Sequence, residues 1–469
     1  PFAWGPAGGG PPSEVEAVEF VVAAGPGGQG VLELSAPFLE DQTLRHPLSI
    51  EASSSRPNHP PDLAFDTEAR TEWIAESENS KPWWRMDFGR NVRFGGVVID
   101  WPEKLPARSF QVDSSIDGKN WTRLYQATAT LGPRSHIPTP GAEARHLKVT
   151  FDNSACAALR HLALRSDAFS HTPNEFIHAV AKDFPRGWAP RYWLREQSYW
   201  TPIGTPEGGR RALINEEGMV EVDEGSFSLE PFVSLHEGLV TWADVKTFVS
   251  LEERGAPLPC VRWEHPSGLT LEILPWVDGS GDDLSLHVTY RLNNPENKHG
   301  ACFVVAARPF QVNPPWQAFR NLGGKCPIKK IITNGADIQV NDRHLLACPT
   351  PNSSAAVLFE EGGILRFLTE GTLPLRQRVE YESGLASATM AWEVPAGVAS
   401  MEVTVTSPYH GKPRKPAESA RTDALADWKS TLASPRWSTP ACAAPAFDCF
   451  HTAAAHILIN PDGPAIQPG

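Results

Sequence analysis

From Leu48 to about Arg165 the chain is a row of short segments in which apolar and polar residues alternate, separated by clusters of Pro, Gly, Asn and Asp. In KPWWRMDFG, for example, Trp84, Met86 and Phe88 take every second position. Side chains on an extended strand point alternately to opposite faces, so the pattern predicts strands with one face buried and one wet, as in an antiparallel β-sandwich. The same texture returns from Tyr199 to about Pro408, in segments such as VRWEHPSGLTLEILPWV, LSLHVTYRLNN, GGILRFLTEG and MEVTVTSP. About twelve strands over roughly two hundred residues call for a large double-sheet sandwich rather than a small one. Asn334-Gly335, between apolar flanks, predicts a hairpin turn, as does the stretch His265 to Gly268. Between the two regions the period changes: after the start signal Thr172-Pro173-Asn174-Glu175, Phe176, Val180 and Phe184 fall on one helical face. Helical spacing returns near the end, with Ala424, Leu425 and Trp428 in one segment and Phe447, Phe450, Ala454, Ile457 and Leu458 in the next. At the front, Val15, Val18, Phe20 and Val22 face Val31, Leu32 and Leu34 across a Gly25–Gly30 turn, too little for an independent sheet.

Composition fits this picture: 44 Pro, 37 Gly and 16 Trp against 4 Met suit turns and sheets better than helical bundles. At 469 residues a single core cannot serve the whole chain, and about three domains are expected. The 55 acidic residues outnumber the 42 basic ones, for a formal charge of −13. Without a basic stripe, nucleic acid is excluded as a partner. Lys412, Arg414 and Lys415, broken by Pro413, read as a solvated linker. No apolar run approaches the roughly 18 residues needed to span a bilayer, so no membrane span is expected. The 7 Cys are scattered, odd in number and without CxxC or Cys/His spacing, which argues against structural zinc and leaves disulfide pairing open. The sequence opens without a Met or leader segment and reads as a mature or trimmed product.

The order of landmarks in the first sandwich is more specific than its period. The Ser53–Ser55 run comes first, then Phe65-Asp66 with Thr71 and Trp73. Trp84-Arg85-Met86-Asp87-Phe88-Gly89 follows, and then Ser114 to Trp121 with Asp117-Gly118 in a turn. This order resembles the discoidin domain, also called the coagulation factor 5/8 type C domain, whose bacterial members are mostly carbohydrate-binding modules. Chemistry in such a fold belongs to the loops, because the strand faces are needed for the core. Three loop groups stand out: Arg56 to His59, Trp73 to Trp84 and Pro102 to Arg108. An aromatic face covers the C–H face of a sugar while basic side chains donate to its hydroxyls. His59, Trp73, Trp83 and Arg108 are the carbohydrate-binding candidates, with Trp84 and Trp121 assigned to the core. The resemblance also implies a structural Ca2+ in the turn FDTEART, with Asp66 and Thr71 as its side-chain ligands. Here Thr67-Glu68-Ala69 stands where the family usually places Gly and Asn.

The sequence of small sandwich, helix, large sandwich and helix resembles bacterial glycoside hydrolases of the six-hairpin class, in which a super-sandwich precedes an (α/α)6 barrel. On that resemblance the expected fold is mainly β and multidomain. It has a partial jelly-roll or hairpin segment at 1–45, a discoidin-like, galactose-binding-type sandwich at 46–168 and a helical linker at 169–198. A large super-sandwich at 199–410 follows, and 411–469 supplies a linker helix and the first helix of an (α/α)6 domain. The implied function is the carbohydrate-binding, structural N-terminal portion of an extracellular or periplasmic glycoside hydrolase acting on polysaccharide, its catalytic barrel lying outside this chain. The alternative is a non-catalytic glycan-binding or adhesion protein. No catalytic residue is assigned. Glycoside hydrolysis needs two opposed carboxylates, and Glu216/Glu217, Asp223/Glu224 and Asp282/Asp283 read as solvated turns beside Gly. Glu196 and Asp244, among Tyr199, Trp200 and Trp242, are the less ordinary acids. A lyase-like site in the large sandwich would draw on Tyr192, Arg195 and His236. No GxSxG occurs, and His451 and His456, five apart on a helix, do not share a face.

Overall fold

The computed structural model describes residue 31 and residues 47–466, apart from 67, 69, 77–80, 103–107, 131, 154, 156, 253–255, 318–322, 375, 412–416, 434–439 and 463–464. The hairpin expected within residues 1–45, and Cys156, lie outside the described residues. The molecule is mainly β, with multiple antiparallel sheets and few helices.

The first region is built from β1 (Ser49–Ala52), β2 (Trp73–Ile74), β3 (Trp83–Asp100), β4 (Arg108–Ser115), β5 (Thr122–Thr130), β6 (Arg134–Phe151), β7 (Ala158–Leu159) and β8 (His161–Arg165). The main sheet has the order β1-β3-β6-β4-β5, with β8 on the far half of β3. Alternation is obeyed where it matters: Trp84 and Met86 are buried, while their neighbours Trp83, Arg85 and Asp87 are only half-buried. The β3/β6 ribbon is too long to stay flat, and its register shifts between Asp87 and Val92 and again between Phe94 and Gly96. Gly89, at φ +73°, makes the first bend, and Asp87 pins it by accepting the Gly89 N–H at 2.7 Å and both guanidinium donors of Arg145 at 2.9 Å. The Arg145 guanidinium, followed by the Gly89 N–H, holds the Asp87 carboxyl down at about 2. A Cβ on Gly96 would lie 2.2 Å from the Phe169 ring, so only glycine admits this ring against the strand. The folded ribbon encloses a core with Trp73, Trp84, Trp101, Phe110 and Phe151 at its centre.

Helix α1 (Pro173–Ala181) begins where the sequence places it: the Thr172 hydroxyl accepts the Glu175 N–H at 3.2 Å, and Glu175 accepts the Thr172 N–H at 2.9 Å. It is followed by two facing sheets. The eight-stranded sheet runs Ser353–Val357, Ser387–Val394, Ala301–Arg308, Ser228–Leu235, Val220–Glu221, Ala212–Asn215 and Trp200–Ile203, with Gly238–Val240 paired to Ser228–Leu235. The nine-stranded sheet runs Lys246–Leu251, Pro259–Glu264, Thr270–Asp278, Ser285–Asn293, Ser400–Pro408, Arg343–Cys348, Asp337–Val340, Lys330–Asn334 and Arg378–Glu380. The predicted Asn334-Gly335 turn is present, with Asn334 opposite Asp337 and Gly335 at φ +61°. Between the sheets lie Trp263, Ile273, Tyr290, Phe303 and Trp392, with Phe303 stacked on Trp392 at 5.8 Å.

One expected strand is a helix. GGILRFLTEG forms α2 (Gly363–Glu370), because Ile364, Leu365, Phe367 and Leu368 recur at helical spacing and bury together against Phe232, Val304 and Ala306 on the back of the eight-stranded sheet. Those strands are therefore covered on both faces, which accounts for the unbroken apolar run FVVAA. Helices α3 (Ala417–Leu432) and α4 (Ala444–Ile459) cover the back of the other sheet, where Ala424, Trp428, Ala455 and Ile459 pack on Trp276. The terminal helix thus buries its last turn here, while Phe450 stays 51% exposed. The six described cysteines are free thiols. No described helix is long and apolar enough to cross a membrane.

Candidate functional site

The folding of the β3/β6 ribbon brings the end of β1, the start of β3 and the end of β6 to one end of the first sandwich. The loop from Ser53 to Pro61 lies over that end. Two buried indoles hold it. Trp73, fully buried, donates its Nε1–H to the Ser54 carbonyl at 3.0 Å and to Ser55 Oγ at 3.2 Å. Trp84, also fully buried, donates to the Pro61 carbonyl at 2.9 Å. Backbone bonds complete the attachment, from Arg56 N–H to the Ile74 carbonyl at 2.9 Å and from Ser53 N–H to the Trp83 carbonyl at 2.9 Å. What remains outward is a polar rim: Arg56, Pro57 and Asn58 are exposed, and His59 is half-buried with its Nδ1 fixed 2.9 Å from the Glu72 carbonyl. Asn58 turns the chain at φ +65°.

Trp83 flanks this loop, its backbone N–H donated to Ser53 Oγ at 3.1 Å. Its half-buried ring is on the outer face of the sheet, where the Arg85 guanidinium sits 5.0 Å from the ring centroid and is itself held by Glu51 at 2.6 Å. The four candidate residues therefore separate. His59 and Trp83 keep accessible surface, whereas Trp73 and Arg108 do not and cannot touch a sugar. Arg108 is 2% exposed: its Nη1 donates to the Gly132 carbonyl at 2.9 Å and its guanidinium stacks 4.8 Å from the Trp101 ring. The reason is common to both: each large side chain donates to a loop carbonyl, so both tie loops to the core. Trp84 is core as expected, but Trp121 is half-buried, with Lys148 Nζ 4.1 Å from its ring centroid. Sequence reasoning missed Arg85, whose signal was its place two residues from Trp83 on the same strand face.

The Asp66 turn gathers oxygen. Thr71 Oγ1 lies 2.8 and 2.9 Å from the two Asp66 carboxylate oxygens and 2.9 Å from the Glu68 carbonyl, and Asp66 also accepts the Glu68 N–H at 3.0 Å. One hydroxyl proton serves three close oxygens, a donor set that fits a hard cation in kind. It brings only one carboxylate, and no group of three His, Cys, Asp or Glu suited to a metal occurs among the described residues.

In the large sandwich the candidate residues do not assemble. Tyr192 is fully buried and donates its hydroxyl to the Gln311 carbonyl at 2.7 Å, Arg195 reaches His178 Nε2 at 3.1 Å, and the His236 ring lies tilted against His299 with centroids 4.7 Å apart. Glu196 is paired with Arg186, and Asp244 caps its own turn by accepting the Thr241 N–H at 2.9 Å. Two of the presumed solvated turns are buried instead. Glu217, 3% exposed, has an oxygen 2.5 Å from Arg191 Nε and another accepting Asn215 Nδ2–H at 2.7 Å. Asp223 is also buried, between two arginines. Burial pushes the Glu217 carboxyl up to about 7 although Arg191 opposes it, and burial does the same to Glu221, up to about 7.

Residues 49–162 carry an F5/8 type C domain, by their match to that family. Solved structures similar to the chain include carbohydrate-binding modules. One is chitosan-binding module 2, in complex with chitotriose, from a chitosanase/glucanase of Paenibacillus sp. IK-5, at 22% identity over 25% of this chain and 95% of that one, TM-score 0.24. Another is the family 32 CBM from C. perfringens NanJ in complex with galactose, at 13% identity over 25% and 91%, TM-score 0.23. A third is a Ruminococcus gnavus GH29 fucosidase in complex with fucose, at 18% identity and TM-score 0.23, where the match spans 25% of each chain. The similarity thus spans nearly all of the isolated modules and about a quarter of the fucosidase. No curated protein matches the chain.

Proposed function

We propose that the F5/8 type C domain binds glycan at the rim formed by Arg56, Asn58 and His59 together with Trp83, on behalf of a polysaccharide-active glycoside hydrolase working outside the cytoplasm, extracellular or periplasmic. The observation that supports this reading is the double anchoring of the loop by Trp73 and Trp84. Both indole N–H groups are spent on loop carbonyls, so the rim is held ready before any ligand arrives and loses little freedom on binding. Trp83 offers a ring face, Arg56 offers donors, and His59, whose Nδ1–H is spent on the Glu72 carbonyl, offers an acceptor at Nε2, the combination that sugar recognition requires. The catalytic partner is an (α/α)6 barrel outside this chain. A Ca2+ at the Asp66 turn, taken by Asp66 and Thr71 oxygens with backbone carbonyls completing its shell, would fix the start of the segment leading into β2.

The test is a glycan array with the 1–469 chain, followed by titration of the best ligand against Trp83→Ala and His59→Ala. Both variants should weaken binding about tenfold or more, on the order of the contribution of a ring stack or a hydrogen bond to a fixed polar group. Wild-type affinity in both would remove the rim from consideration. Millimolar CaCl2 should raise the melting temperature of the wild type and not of Asp66→Asn; equal shifts in both would remove the cation from this turn.

A further inference from the structure

The turn between Asp337–Val340 and Arg343–Cys348 carries Arg343 toward the loop that follows Val220–Glu221. There Asp223 accepts Arg210 Nη1–H at 2.8 Å and Arg343 Nη2–H at 2.6 Å on the same oxygen, and the Glu224 N–H at 3.0 Å on the other. Two guanidinium groups thus converge on one carboxylate. The second terminal nitrogen of Arg343, Nη1, is buried without a hydrogen-bond partner, and so is the phenolic oxygen of Tyr409, a residue only 8% exposed. The Arg343 guanidinium lies 5.3 Å from the centre of the Tyr409 ring. Both residues line one cavity of about 340 Å³, which Ser226, Asp342 and His344 also border. Buried donors left unpaired are rare because each forfeits its hydrogen bond to water, so two at one cavity mark a place where a ligand completes the structure.

We propose that this cavity binds a single carboxylate, with Arg343 Nη1 and Tyr409 Oη donating to it, and, resting on the glycan reading above, that the molecule bearing it is a hexuronic acid. A planar carboxylate matches the edge of a guanidinium. The exposed Asp342 carboxylate at the rim repels a second negative charge and so favours a monoanion over a phosphate dianion. Burial keeps the Tyr409 phenol protonated and hence a donor. The volume suits one monosaccharide, at the low end of small-molecule sites.

Calorimetric titration of the full chain with sodium glucuronate, glucose and glucose 6-phosphate tests this. Glucuronate should bind saturably, with glucose and glucose 6-phosphate at least about tenfold weaker. Tyr409→Phe, which keeps the ring and the fold, should weaken glucuronate about tenfold to a hundredfold, the worth of one hydrogen bond to a charged group. Trp83→Ala should leave it unchanged, since the cavity is independent of the glycan rim. Absence of saturation, equal affinity for glucose, or wild-type affinity in Tyr409→Phe with an unaltered melting temperature would each overturn the proposal.

Discussion

Trp73→Phe separates a residue that positions the proposed glycan rim from one that touches the glycan. The substitution keeps a ring beside Phe151, 6.0 Å away between centroids, and removes the N–H that holds the Ser54 carbonyl and Ser55 Oγ. Leaving the part-buried carbonyl unpaired costs about 1–2 kcal/mol, and the smaller ring leaves a void worth about 1 kcal/mol more. The loop should therefore open about 2–3 kcal/mol more readily. That is roughly a 30- to 150-fold rise in the hydrogen-exchange rate of amides bound only when the loop is closed. The amides to follow are Arg56, bonded to the Ile74 carbonyl, and Glu76, bonded to Ser54 Oγ at 3.1 Å. Exchange by mass spectrometry on overlapping peptides reads both, and glycan affinity should fall with the closed population rather than vanish. The reasoning fails if both amides keep wild-type protection while affinity drops as far as in Trp83→Ala, because the indole would then be acting on the ligand directly.

Glu230→Ala strands Arg308, whose Nη1 now lies 2.7 Å from Glu230 with both side chains about 7% exposed or less. An uncompensated buried charge costs about 3–5 kcal/mol, seen as a lowered urea midpoint that the double variant Glu230→Leu, Arg308→Met should largely restore. Stability of the large sandwich should also depend on pH through Glu217 and Glu221, both pushed up to about 7 from 4.5 by burial. With the folded pKa above the unfolded one, the folded state holds the extra proton between the two values. This contribution is full below about pH 4.5 and is lost as pH rises through 7, by about 3 kcal/mol per group. The urea midpoint should be higher at pH 5 than at pH 8, and a flat or inverted profile would contradict the assignment.

The small sandwich was legible because its strands bury one face. Trp84 and Met86 alternate with Trp83 and Arg85, and period-2 reading finds them. It could not tell which aromatic would be sealed. Trp73 is fully buried and Trp83 is not, yet both sit beside turns; what separates them is the two-residue pairing of β2 with β7, a contact made some 85 positions along the chain. The large sandwich was legible as β, but α2 was read as a strand because Ile364, Leu365, Phe367 and Leu368 form a short apolar cluster compatible with either period, and only the strands beneath it decide. Glu217 and Asp223 looked solvated because acidic residues beside Gly usually are. Their arginine partners, Arg191 at 26 positions and Arg343 at 120, are brought to them by the tertiary fold.

The joint between the two sandwiches has consequences for reach. Phe169, set into the groove at Gly96, meets Phe176 of α1 at 5.5 Å. Asp183 receives His136 at 2.8 Å and Arg134 at 3.1 Å, and Tyr125 donates across to Glu360 at 3.2 Å. A module on a flexible tether samples a volume and gains avidity by searching it. Held at three points, this one is set at a fixed angle; on the proposed function, a polysaccharide at its rim would be presented along a single heading, and lengthening the 166–172 segment should cost alignment before it costs affinity.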